Sequence, residues 1–452
     1  MKNALPQRHT GKERETSMSE KNETKIYQYA RIMRRSEKFT VRINGEEADV
    51  LYREFGDLVV TECTGELEIE VLSSENPADV KIRPLSKGMQ PEIIEGGIRF
   101  TISEPVNLVI GEEDYHPLFF HACPPVENVP DPDDPKVHYF RAGQVYEVEH
   151  MPMEDDETIY LEGGAVVRGS LLVEGSKNLR ICGHGVWDGS YHKRATNKSR
   201  CFVFKGCENV TVEDISMIEP CVWTLVFIQC KQVHVRNIVQ ITWGNGSDGI
   251  DIVGCQDVHI EGCLLRNGDD CVVVKSVGMH DFKDPGAEVK NVLVERCALM
   301  NIKAGNALEI GHELNTEKVH NITFRDIDVL CAHGHGAVFS INNADCATIS
   351  DVLYEDIRVE HHYAQLIGFR VIRSRWSKQQ KRGYIRDIHL KNIRIAYSDL
   401  NEGYTLSVIG GFNEAHSVEN VTLEDISIND RKIMDANDLD LYMRNTKNVV
   451  FK

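Results

Sequence analysis

Short runs of β-branched residues return along most of this chain at intervals of a few tens of residues. Asn209-Val-Thr-Val-Glu-Asp-Ile215 recurs as Gln232-Val-His-Val-Arg-Asn-Ile238 and as Asp257-Val-His-Ile-Glu-Gly-Cys263. Further copies start at Asn291, Asn321, Asp351, Asp387 and Asn420, with a weaker one over Asn178 to His184. Within each copy apolar and polar residues alternate, the signature of a strand with one face turned inward. Val210, Val233, Val258, Val292, Ile322, Val352, Ile388 and Val421 occupy one shared slot, 23 to 36 residues apart. Periods of that size mean stacked supersecondary units. Leucine-rich repeats need a tighter, Leu-dominated period. Here Val and Ile dominate, and Asn, Asp and Gly stand at the corners, where they tolerate left-handed backbone. The pattern predicts an all-β chain built on a right-handed parallel β-helix, with the variable spacing taken up in corner loops that rim a groove.

The pattern changes towards the N-terminus. Phe39 to Ile43, Leu58 to Thr61, Leu67 to Val71, Ile98 to Ile102 and Leu108 to Ile110 alternate between Gly, Pro, Asn and Asp turns. That predicts a small antiparallel β-sandwich over residues 26–123. Pro124 to Pro135, rich in Pro and Asp, predicts a stiff linker over 124–136. The solenoid is expected over 137–452, with Lys432 to Leu441 as a short capping helix or loop, because a solenoid must cover its open core. Residues 1–25 are polar and charged and are expected to be a disordered extension.

Composition narrows the function. The 452 residues carry a net charge of −19. An acidic chain is a poor partner for nucleic acid, whose phosphates need clustered Lys and Arg. Its one basic run, Lys378 to Arg382, is read as a solvated loop. No stretch reaches the roughly 20 apolar residues of a membrane helix. The N-terminus lacks the apolar run of a secretory signal. Of thirteen cysteines, Cys207, Cys230, Cys255, Cys263 and Cys297 fall in apolar slots of the repeat. They are read as stacked, reduced core thiols. A bacterial cytoplasmic protein is expected. Cys and His spacings give no zinc motif, and neither a metal nor a cofactor is expected. The oligomeric state is left open.

Two acidic clusters carry the chemistry. Trp243-Gly-Asn-Gly-Ser-Asp248-Gly-Ile-Asp251 and Asn267-Gly-Asp269-Asp270-Cys271 place their carboxylates 21 residues apart. That is about one coil, and stacked coils rise about 4.8 Å. Asp248 is therefore expected beside Asp269 and Asp270. An isolated Gly-Asp-Asp is usually a turn. Here an apolar strand follows each cluster, and two acidic corners in register repel each other unless chemistry uses them. Converging carboxylates in a groove are what glycoside hydrolysis requires.

These residues resemble the active-site stretch of the polygalacturonase family, glycoside hydrolase family 28. That family has Asn-x-Asp, about one coil later Asp-Asp, then Gly-His-Gly and Arg-Ile-Lys. The early Gly183-His-Gly-Val-Trp-Asp188-Gly is similar to its Gly-x-Gly-x-x-Asp-Gly turn. A sandwich ahead of the helix resembles family 49, the dextranases and isopullulanases. The resemblance implies an O-glycosyl hydrolase of inverting mechanism acting on an oligosaccharide or polysaccharide. It implies that Asp269 protonates the leaving oxygen, while Asp248 and Asp270 position and deprotonate water; the residues alone do not distribute these roles. The chain departs from the pattern in three places. The family Asn falls on Gly246, with Asn245 displaced by one. The family His falls on Gly305, and His312 stands seven residues on. The basic pair is replaced by Val338-Phe-Ser340. In pectin-cleaving members that pair holds the galacturonate carboxylate, so polygalacturonate is not the expected substrate.

Around the three Asp, the expected substrate-binding residues are Trp243, Asn245, Lys275, Glu309, His312, Glu313, His335, Arg370 and Arg373. Trp243 is the favoured sugar platform, ahead of Trp223 and Trp376. Glu309 alternates with buried Leu308 and Ile310, while His333 and His335 are rim positions. Arg370 and Arg373 stand one coil beyond the emptied basic slot. The loop Val277 to Pro285 is expected to wall the groove and favour exo cleavage. Two rival readings remain at this stage. One is a polysaccharide lyase or epimerase that binds calcium at the acidic cluster and uses a base such as Lys275. The other is a solenoid that binds glycan without cleaving it.

Overall fold

The structure is a computed structural model, and it describes residues 24–74, 76–111, 116–191, 200–277, 286–397 and 405–452. From Val137 onward the chain winds through one sheet of 29 strands, almost all paired in parallel with the strand one coil away. Each complete coil has three walls. The first wall includes Phe202–Lys205, Leu225–Ile228, Ile250–Val253, Val272–Lys275 and Leu308–His312. The second includes Glu208–Glu213, Lys231–Arg236, Gln256–Glu261 and Val289–Glu295. The third includes Ser216–Ile218, Val239–Ile241, Leu264–Asn267 and Ala298–Asn301. No α-helix occurs among the described residues.

The recurring Asn or Asp of the repeat has a physical cause. Asn209, Asn291, Asn321, Asp351, Asp387 and Asn420 all sit at φ between 55° and 57°, near the start of the strands that enter the second wall, where the backbone bends. Their side chains also form ladders between coils. Asn321 donates to Asn291 (2.7 Å) and Asn291 to Asp257 (2.7 Å), as Asn420 donates to Asp387 (2.8 Å). A short polar side chain thus lowers the strain of the corner and satisfies the stack. Inside, Val210, Val233, Val258, Val292, Ile322, Val352, Ile388 and Val421 form one buried column. Each such side chain contributes about 1.5–3 kcal/mol on burial. None of the thirteen cysteines is in a disulfide. Cys207, Cys230 and Cys255 stack along one corner, with the Cys255 sulfur accepting the Cys230 N–H at 3.3 Å.

Ahead of the solenoid lie two five-stranded sheets that share a core including Val41, Ile69, Leu108 and Phe120. One is wholly antiparallel. The other contains one parallel pair, Asp57–Glu62 against Leu118–Cys123, a departure from the antiparallel expectation. The sandwich packs on the outer face of the third wall. Leu51, Leu58 and Phe119 meet Val186, Ile218, Val239 and Leu264 there. This explains why the third-wall strands are apolar on both faces. Arg180 donates to the carbonyls of Glu127 and Asn128 and ties the Pro-rich segment to the solenoid. Near the C-terminus, Ile433, Leu439 and Leu441 close the core around a 3-10 turn at Asn437–Leu439. Most of the expected N-terminal extension and the loop at 278–285 lie outside the described residues; Lys25–Ile26 pairs with Thr61 and Glu62.

Candidate active site

The acidic clusters fall at the corner where the third wall turns into the first. Ile250 pairs with Val272 and Val272 with Leu308. Counting back two residues puts Asp248, Asp270 and Asn306 at one corner position on successive coils. The backbone confirms the stack: Gly249 N–H donates to Asp270 O at 2.8 Å, and Cys271 N–H to Asn306 O at 3.0 Å. Counting back three stacks Ser247, Asp269 and Gly305 in the same way. Both consecutive Asp reach the same hollow because they lie in the bend between strands, where the alternation of a strand does not apply. Gly268 makes the bend feasible, since a Cβ there would lie 2.2 Å from the Trp243 carbonyl oxygen.

Each carboxylate is held differently. Asp248 Oδ2 accepts from Lys275 Nζ at 3.0 Å, and the same ammonium bonds Asp251 Oδ1 at 2.7 Å. Asp269 Oδ2 accepts from Gly246 N–H at 2.7 Å. Asp270 Oδ1 accepts from both the backbone N–H (2.7 Å) and the side-chain amide (2.9 Å) of Asn306. Burial, reinforced by the charge of Asp248, pushes the Asp269 carboxyl up to about 6. Burial, then Asp269 and Asp248, raise Asp270 well above the usual carboxylate range. Asp251 is raised chiefly by burial. For Lys275 burial opposes the charge, yet Asp248 and Asp251 hold the ammonium protonated. The site therefore keeps at least one protonated carboxyl near neutrality beside a carboxylate in an ion pair.

These groups open on a cavity of about 670 Å³. Of the residues singled out from sequence, Asn245, Asp248, Asp269, Asp270, Lys275, His312 and Glu313 line it. Burial pushes the His312 imidazole down to about 4, so it is neutral near pH 7. The other expected residues stand elsewhere. Trp243 is turned away and stacks on Phe55 of the sandwich, ring centroids 5.0 Å apart, with Arg266 and Lys303 over its ring. It fastens the two parts of the chain, and Trp223 and Trp376 line the cavity instead. Glu309 does face outward on the first wall but is sealed at 0% exposure, where it accepts from Asn342 Nδ2. Arg370 donates to Asn342 at 3.0 Å and does not line the cavity. His335 and Arg373 are exposed and outside it. Sequence reading missed Arg375 and Asn306, both of which line the cavity, and Asp251, the second partner of Lys275.

Gly305, in the slot of the family histidine, has a steric reason. It sits at φ +67°, and a Cβ would lie 2.3 Å from Asp269 Oδ1 and 2.6 Å from Asp270 Oδ1. The two carboxylates close over this position, leaving no volume for a side chain.

Polygalacturonase from Persea americana is 26% identical over 129 residues, 27% of this chain and 25% of that one. Probable exopolygalacturonase B from Aspergillus fumigatus is 23% identical over 236 residues, 40% and 52% of the two chains. The chain thus spans about a quarter to about half the length of these curated relatives. Among solved structures, Dex49A from Penicillium minioluteum superposes with a TM-score of 0.64 at 12% identity, covering 95% of this chain and 97% of that one. A hyperthermoactive exopolygalacturonase from Thermotoga maritima gives 0.50 at 18% identity, covering 70% and 84%. Both likenesses concern the fold. The sequence profile described as Glycosyl hydrolases family 28 matches residues 153–439, which include both acidic clusters and every residue of the cavity. The chain belongs to that family.

Proposed function

We propose that this protein is a glycoside hydrolase that cleaves an oligosaccharide or polysaccharide by direct attack of water, with inversion. Asp269 is the acid that protonates the leaving oxygen. Asp248, ion-paired with Lys275, is the base that deprotonates the water, and Asp270 helps to position it. The observation that carries the reading is the convergence of three Asp on one cavity, with Asp269 held protonated up to about pH 6. A general acid must keep its proton near the working pH, and an adjacent carboxylate in an ion pair supplies the base. Lys275 fixes Asp248 and cannot itself serve as a base, because its ammonium is locked between two carboxylates. That disfavours the lyase reading.

The substrate is proposed to be a neutral glycan. Four acidic residues line the cavity (Asp248, Asp269, Asp270, Glu313) against two basic ones (Lys275, Arg375). Lys275 is committed to its ion pairs, and Arg375 lies over the Trp376 ring at 4.6 Å. A polyuronate would meet net repulsion there. Trp376 is half-buried at the cavity and offers an aromatic face for a pyranose ring, whereas Trp223 is buried with the Lys275 ammonium over its ring. Release of reducing ends from a panel of neutral oligosaccharides, with wild type and Asp269→Asn side by side, tests the proposal. Turnover by wild type and its loss in the variant support it. Equal turnover by both would assign the acid elsewhere.

A further inference from the structure

Further along the same edge of the solenoid, the turns from third to first wall carry a different donor set. Cys331 lies near the end of the strand Lys318–Ala332, His333 follows in the turn, and His361 comes from the turn one coil on. The backbone fixes the two turns to each other. Ala332 N–H donates to His361 O (3.0 Å), and Tyr363 N–H to Ala332 O (2.9 Å). The Cys331 sulfur and one ring nitrogen from each histidine all lie within 4.8 Å of one another. His333 Nδ1 and His361 Nε2 share a hydrogen bond at 3.4 Å, a contact that a bound ion would replace. Two imidazoles on a tetrahedral zinc, each bonded at about 2.0–2.1 Å, need their nitrogens about 3.4 Å apart. The Tyr363 ring stacks on His333 at 4.9 Å between centroids and limits its rotation. One thiolate and two imidazoles are a soft donor set that selects a thiophilic metal over calcium or magnesium.

We propose that Cys331, His333 and His361 form a binding site for a thiophilic divalent cation of the zinc class, with the fourth position taken by water. None of the three lines the catalytic cavity, so the ion takes no part in bond cleavage. Its place in the fold gives it a structural consequence. His333 N–H donates to Asn301 O at 2.7 Å and Gly334 N–H to Asn301 Oδ1 at 3.0 Å. Asn301 Nδ2 in turn donates to Asp269 O at 2.8 Å. An ion that clamps residues 331–333 to 361 therefore stiffens the turn from which the Asp269 corner is suspended. A scan of linear spacing does not reveal this set, because the ligands come from two coils.

The other cluster of donors, His234, His259 and Glu261, lies on the outer face of the second wall and has no sulfur. Its histidines are engaged with Glu261 (2.8 Å) and Glu295 (3.1 Å). It serves as the control. The full chain is titrated with Co2+ while the thiolate-to-cobalt charge-transfer absorption is followed, and with Zn2+ by calorimetry. The proposal expects the absorption in wild type, its loss in Cys331→Ser, and zinc affinity at least about tenfold weaker in His333→Ala, in line with loss of metal-site support. His333 is exposed, so that variant leaves the core intact. His234→Ala is expected to change neither signal. No thiolate absorption in wild type overturns the proposal. So does absorption and affinity unchanged in both Cys331→Ser and His333→Ala, or loss only in His234→Ala.

Discussion

Replacing Asp269 by Asn separates the acid's chemistry from its structural cost. Raising a carboxyl from its usual value near 4 to about 6 penalises the ionised form by about 3 kcal/mol, at 1.36 kcal/mol per pH unit. The sign follows from proton binding. Between about pH 4 and 6 the folded protein holds a proton on Asp269 that the unfolded chain releases, so the stability present below pH 4 is lost as pH rises through about 6. Asn imitates the protonated acid and does not titrate. Asn gives up one of the two backbone N–H groups that the carboxyl accepts, from Gly246 and Asp270, at every pH, so relative to its difference at pH 4 the variant should gain up to about 3 kcal/mol on wild type at pH 7. With an unfolding entropy of about 2.1 cal/mol/K per residue over 452 residues, that is a relative rise in Tm of about 3 °C at pH 7. Differential scanning calorimetry at the two pH values measures it. Turnover should fall by roughly 10²–10⁴, the usual contribution of a general acid. A Tm difference independent of pH, or a variant less stable at pH 7 than at pH 4 relative to wild type, would refute the reasoning. A structural turn former would give that second pattern together with retained activity per folded molecule.

Four further outcomes are expected. Lys275→Met leaves Asp248 and Asp251 buried without their partner and should destabilise the protein by about 3–5 kcal/mol, read by chemical denaturation at pH 7. Gly305→Ala forces a Cβ against the Asp269 and Asp270 carboxylates at a left-handed φ, so under the proposed roles kcat should fall steeply with little change in the far-UV spectrum of the solenoid. EDTA should not abolish turnover, because Lys275 rather than a cation bridges the carboxylates and an ion at Cys331, His333 and His361 only stiffens a neighbouring turn; activity restored only by added calcium would favour the lyase reading. Polygalacturonate should release reducing ends far more slowly than the preferred neutral oligosaccharide, and comparable rates would show that Arg375 holds a uronate carboxylate.

Much of this could be read from the chain because solenoid contacts are nearly local. A residue meets its equivalent one repeat away, so a spacing of about one coil placed Asp248 beside the Asp269 and Asp270 pair, while the register that stacks it on Asp270 came from the strand pairing. Asn209 and its equivalents were legible as corners because left-handed backbone selects that side chain. What escaped was set by contacts with no fixed spacing. Trp243 stands next to the first cluster in sequence, yet it is drawn away by Phe55, a residue of the sandwich. Alternation along the strand correctly turned Glu309 outward but could not show that Asn342 seals it. Arg375 and Trp376 come from a corner loop after the strand Gln365–Val371, where no periodicity links them to the Asp coils. The vacant histidine slot was visible as Gly305, but its cause, two carboxylates within van der Waals reach, exists only in three dimensions.

The stereochemistry of the first product tests the roles of the three Asp most directly. Proton NMR of the anomeric region, begun within minutes of adding wild-type enzyme to the neutral oligosaccharide it cleaves, distinguishes the two routes before mutarotation mixes them. Water activated by Asp248 and Asp270 and a leaving group protonated by Asp269 predict a product of inverted configuration. Retained configuration would mean that a carboxylate attacks the sugar carbon, and it would contradict the roles assigned to all three.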